Sequence, residues 1–120
     1  TMELAPVYDC GSCLYPQADE KIMTATLNDP QERDLRIFSI PLSGIRLNGQ
    51  KINYFNFISS LEYEDCNDAL KRMVPKMDMG KINRIVEETP YITDLQKRFY
   101  KTMLTERKKK ILDFSLSKLC

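Results

Sequence analysis

Histidine is absent from all 120 residues. That removes the commonest general base and the commonest metal ligand, and it excludes any histidine-based hydrolase triad within the chain. Long apolar runs are missing as well: nothing approaches the roughly eighteen consecutive apolar residues of a spanning helix. The N-terminus carries no basic stretch followed by an apolar core and a small-residue cleavage site, so the expected location is cytoplasmic. Excess charge of either sign is lacking, with 18 Lys and Arg against 17 Asp and Glu for a net charge of +1. Such a balance supplies no general attraction for nucleic acid or for acidic membranes, and neither is expected as a direct partner. Cysteines number four, at positions 10, 13, 66 and 120, too few and too scattered for a disulfide framework; they are expected to be thiols.

What is present is the composition of one soluble globular domain, with 42% apolar and 29% charged residues, large enough to bury a working core. A single domain over 1–120 divides into a turn segment at 1–16, a short helix and hairpin at 17–52, and a helical bundle at 53–120. From Pro16, Ala18-Asp19-Glu20-Lys21-Ile22-Met23-Thr24-Ala25 reads as a short helix with acids in its first turn, ended by Asn28-Asp29-Pro30. Leu35, Ile37, Phe38 and Ile40 alternate better than they spiral, although Pro41 and Gly44 keep any strand there short. Asn48-Gly49, inside Ile45-Arg46-Leu47-Asn48-Gly49-Gln50-Lys51-Ile52, is a strong hairpin signal and predicts a two-stranded ribbon.

After Ile52 the period becomes helical. Tyr54, Phe57, Ile58 and Leu61 follow a candidate N-cap at Asn53, and Cys66, Ala69, Leu70, Met73 and Val74 repeat the pattern up to Pro75. Ile82, Ile85 and Val86 mark a third helix, capped by Asp78 and ended before Pro90. Thr93-Asp94-Leu95-Gln96 fits the reciprocal capping box and opens a fourth, which contains Leu95, Phe99, Met103 and Leu104 and runs beyond Ile111. The predicted class is mainly α: an irregular N-terminal segment, a short helix, a small β-hairpin, then four packed helices.

Four constellations bear on function. Tyr8-Asp9-Cys10-Gly11-Ser12 places one carboxylate in a glycine-containing turn, an arrangement that suits a hard cation; Asp9 is the candidate ligand, with Gly11 letting the backbone bend. The same pattern serves ordinary turns, in which Asp9 caps the loop and Gly11 supplies a positive φ. Cys10-x-x-Cys13 has the spacing of half a zinc site or of a redox pair, but Cys66 and Cys120 form no matching second pair, so two thiols packed round a turn are preferred. Arg107-Lys108-Lys109-Lys110 points round most of a helix and reads as a solvated face. Tyr54, Phe55, Phe57, Phe99 and Tyr100 read as core, since helical spacing explains them without a ligand.

Leu4-Ala5-Pro6-Val7-Tyr8-Asp9-Cys10-Gly11-Ser12-Cys13-Leu14 resembles the segment of HipA-like serine/threonine protein kinases that reads roughly "aPiyD-x-G-s-sLl", with Cys13 where a serine is often found. The resemblance implies that the helices form the distal part of a kinase C-lobe. It also implies that Asp9 does the work of the DFG aspartate, binding the magnesium that bridges ATP phosphates, with Gly11 and Ser12 completing the turn. Magnesium and ATP are the implied cofactors, and a protein serine or threonine the implied acceptor. In the family, the nucleotide-cradling loop, the phosphate-pairing lysine and the catalytic aspartate all precede this segment. The upstream part of the kinase is therefore the first implied partner, no catalytic residue is assigned here, and this chain alone is expected to be inactive. The alternative from another class is a non-catalytic helical interaction module on the same scaffold. Either reading allows homo-oligomers through exposed apolar surface.

Overall fold

The computed structural model describes residues 14–15, 18–39 and 46–119. Asp19 starts α1 (Glu20–Asn28) by accepting from the Ile22 amide at 2.8 Å, as an N-cap aspartate does. Asp29 then serves two helices. It ends α1 in extended backbone, and its carboxylate accepts from Gln31 N at 2.9 Å to start α2 (Pro30–Phe38) with Pro30 in the first turn. The alternation seen in Leu35, Ile37 and Phe38 is therefore overridden. An aspartate cap, a proline preset to helical φ and a Glu32–Arg36 pair one turn apart at 2.9 Å make this stretch helical, and Ile37 is its buried residue.

The ribbon is present as β1 (Arg46–Leu47) and β2 (Gln50–Lys51), antiparallel, with Arg46 opposite Lys51 and Leu47 opposite Gln50. Asn48 and Gly49 both have positive φ, at 54° and 83°, which is what a type I′ hairpin turn demands and why this pair suits it. Next, Asn53 joins two helix ends. Its Oδ1 accepts from Asn56 N at 3.0 Å to start α3 (Tyr54–Ser60), while its Nδ2 donates to Phe38 O at 2.7 Å, a carbonyl that the end of α2 leaves without an intrahelical partner.

α4 (Glu64–Met73) passes into a 3₁₀ turn at Val74–Lys76, where Pro75 breaks the α ladder. α5 (Met79–Glu88) is capped by Asp78, and α6 (Asp94–Arg107) opens on the Thr93–Gln96 capping box with both reciprocal bonds made, at 3.1 and 2.7 Å. α6 continues through a π-helical segment, Lys108–Asp113, into α7 (Phe114–Leu119). The spacing of the inward residues explains the π segment. Phe99, Met103, Ile111 and Ser115 are buried at multiples of four, and in an unbroken α-helix each step of four turns the inward face by about 40°. A wider i→i+5 turn takes back part of that drift and keeps Ile111 and Ser115 facing the core.

The main core is Met23, Ile37, Phe99, Met103 and Ile111, where α1, α2 and α6 meet. A smaller group, Leu70, Val74 and Val86, is buried on α4, the 3₁₀ turn and α5. Among the described residues no helix is long and apolar enough to cross a membrane.

Candidate functional site

Asp9, Gly11 and Ser12 lie outside the described residues, as do Cys10, Cys13 and Cys120. What the structure places is the point where that segment joins the helices. Leu14 and Tyr15 pack against the main core. The Tyr15 hydroxyl donates to Arg36 O at 2.9 Å, capping a carbonyl in the last turn of α2 that has no intrahelical donor. Its ring meets Phe99 edge-on, with centroids 6.3 Å apart at 70°, and the Arg107 guanidinium lies 5.4 Å from the ring centroid. Tyr15 adopts a left-handed backbone with φ 55°, a conformation that costs a non-glycine residue energy and persists only where surroundings enforce it.

Burial pushes the Tyr15 phenol above its ordinary pKa, while the positive charges of Arg107 and Arg36 pull the other way. The phenol is a neutral donor, fixed between α2 and α6, six positions after Asp9. Sequence reasoning left Tyr15 without a role. The available signal was a large aromatic six positions after Asp9, just before the first helix.

The basic run does not form the solvated face expected of it. Lys108 pairs with Asp113 at 2.9 Å, and Lys110 reaches both Asp34 at 2.5 Å and Glu106 at 2.9 Å, tying the π segment to α2. The hydrogen bond from Lys110 to Asp34, then that to Glu106, holds the ammonium above its usual pKa against a smaller opposing effect of burial. Arg107 covers Tyr15. Among the described residues Lys109 alone of the run is exposed with no ion-pair partner.

The aromatic residues divide. Phe99 is wholly buried, as expected of core, and Tyr100 meets it edge-on at 5.9 Å. Tyr54 is instead 46% exposed, and Phe55 lies half-buried between Phe38 at 4.8 Å and Phe114 at 5.8 Å. Cys66 is an exposed free thiol. Among the described residues no group of three or more His, Cys, Asp or Glu side chains is arranged to hold a metal.

This helical arrangement is that of a portion of a solved protein kinase. The crystal structure of a Helicobacter pylori proinflammatory kinase, CtkA, superposes with a TM-score of 0.90 at 43% identity, covering 97% of this chain and 42% of that one. In sequence, the serine/threonine-protein kinase CtkA of Helicobacter pylori is 45% identical over 112 residues, which is 92% of this chain and 34% of the relative. The chain thus spans about a third of the length of the curated relative that it matches. No protein-family profile matches it.

Proposed function

We propose that this chain is the C-terminal portion of a HipA-like serine/threonine protein kinase, with the Asp9 turn beside the nucleotide and the helices as the base beneath it. The observation that carries the reading is the 45% identity to a serine/threonine kinase across 92% of the chain. Magnesium would supply charge neutralisation on the ATP phosphates, and Asp9 offers the carboxylate oxygens that a hard cation takes. Gly11 would let the backbone bend close to the phosphates, and Ser12 would complete the turn. Tyr15 supports this arrangement, because its bonds to α2 and α6 give the segment a fixed end six positions from the carboxylate. The remaining parts of the ATP site would come from upstream kinase sequence, the acceptor would be a serine or threonine of a protein, and the compartment would be the cytoplasm.

The test is Asp9→Asn in a polypeptide that joins this chain to upstream kinase sequence. ATP-dependent phosphorylation of a protein acceptor is expected to fall by at least about a hundredfold, the scale of removing one group that stabilises transition-state charge. Magnesium-dependent ATP binding should weaken in the same variant. Unchanged transfer and unchanged nucleotide binding would overturn the role of Asp9, whereas absence of both from the unsubstituted polypeptide would leave the helical interaction module as the reading to pursue.

A further inference from the structure

Between α2, α3 and the π segment lies a groove of about 350 Å³, lined among the described residues by Asp34, Phe38, Phe55, Lys109, Lys110 and Phe114. Three phenylalanines make its apolar floor. Phe38 meets Phe55 edge-on at 4.8 Å, Phe55 lies nearly parallel to Phe114 at 5.8 Å, and Phe114 remains 44% exposed. A hydrophobic side chain left this open beside two others offers a seat for an apolar group from outside.

The charges around it are unequal. Lys110 is spent on Asp34 and Glu106. Lys118 donates to Ser59 O at 3.0 Å and holds its ammonium 5.5 Å from the Phe114 ring centroid. Lys109 has no ion-pair partner among the described residues, so the uncommitted charge on the rim is positive. The wall that presents Lys109 and Lys110 is the π segment, a widened turn of a kind frequently found at functional sites.

We propose that this groove docks a short acidic peptide segment of a partner protein. A large apolar side chain would seat over Phe38, Phe55 and Phe114, and a neighbouring carboxylate would pair with Lys109. The chemistry favours peptide over single-stranded nucleic acid. A nucleobase needs a clear ring face, whereas the Phe114 ring is already engaged by Phe55 and by the Lys118 ammonium.

The probe is a fluorescein-labelled peptide, Glu-Asp-Leu-Phe-Glu-Asp, titrated with the 120-residue chain at low ionic strength and read by fluorescence anisotropy. Saturable binding is expected with a dissociation constant on the order of 10–100 µM, as suits so small a contact. Lys109→Glu should weaken it by about tenfold or more and Lys109→Ala by about threefold, because the first reverses the rim charge and the second only removes it. Phe114→Ser should weaken it by about tenfold. Should that variant fail to fold by circular dichroism, Lys109→Glu decides the matter, since its side chain is exposed. The Gln-Asn-Leu-Phe-Gln-Asn peptide should bind at least about tenfold more weakly, and Lys81→Glu on α5, away from the groove, should change nothing. Absence of saturable binding, indifference to Lys109→Glu, or tighter binding of an oligothymidylate than of the acidic peptide would each overturn the proposal.

Discussion

Two sides of the bundle are built differently. Where α1, α2 and α6 meet, Phe99 and Met103 are fully buried, Met23, Ile37 and Ile111 are nearly so, and Tyr15 closes the edge. Where α3 and α4 face the π segment, an apolar pocket of about 240 Å³ stays open, lined by residues that include Phe57, Cys66, Leu70, Met73 and Met77, and Met73 is 58% exposed. Close packing transmits position, whereas a loose side can give way without disturbing its neighbours. The sealed side is the one that receives the chain leaving the Asp9 turn. The tighter packing is found on the side where Leu14 and Tyr15 attach.

The sharpest way to break that contrast is to hollow out both sides alike. Phe99→Ala should cost about 3–5 kcal/mol, because it removes a large ring and leaves a void that sealed neighbours cannot fill. Leu70→Ala should cost only about 2 kcal/mol, since the site borders an existing opening and little new cavity is trapped. Urea unfolding of the two variants measures both losses. Equal costs would show that the two sides are packed alike.

Smaller probes test the attachment itself. Tyr15→Phe keeps the ring on Phe99 but strips the donor from Arg36 O, and should cost about 1 kcal/mol. Tyr15→Ala should cost more, about 2–4 kcal/mol, and should loosen the start of α1 in hydrogen exchange. Thr93→Ala, which removes half of the capping box at the far end of α6, should cost about 1 kcal/mol while leaving exchange around Tyr15 unchanged. A matching change in exchange at Tyr15 would show that α6 responds as one rigid body.

Helix starts were legible because a cap is a local device. Asn53, Asp78 and Thr93 each accept the amide bonds that their positions announce, Asp19 caps the helix whose first turn it was expected to join, and Asn48-Gly49 makes the turn that it signals. α2 was hidden because Asp29-Pro30 reads as a stop from one side and as a cap with first-turn proline from the other. Three apolar residues were too few to show which period wins. The i,i+4 spacing of Glu106 and Lys110 announced their pair, but the π segment and the bond from Lys110 to Asp34 were illegible for another reason. Asp34 lies 76 positions from Lys110, and only the packing of α2 on α6 brings them together. For the candidate site, the Asp9 turn was readable as a pattern but lies outside the described residues, whereas Tyr15 gains its role only from α2 and α6.

Charge pairs sharpen the comparison with the smallest effect and opposite signs. Lys110 clamps the sealed side. Its bonds to Asp34 and Glu106 raise its pKa in the folded chain, so the clamp's contribution is complete below the ordinary lysine range and is lost as pH rises through the raised value. Burial likewise raises Tyr15, whose phenol ionises first in the unfolded chain and so also favours unfolding at high pH. α5 is held to α6 by an exposed pair instead. The hydrogen bond from Lys101 lowers the pKa of Glu87, and this contribution is present above the ordinary carboxylate value and lost as pH falls through the lowered one. As pH rises past about 10.5 and on through the raised value, thermal unfolding should therefore bring wild type and Lys110→Met together, after a difference at neutral pH of no more than about 1 kcal/mol. As pH falls past about 4.5 and on through the lowered value, Glu87→Gln should converge with wild type in the same way. A Lys110→Met difference that persists above the lysine range would mean that the long side chain holds α2 by packing along its stem, and that the sealed side owes nothing to this charge.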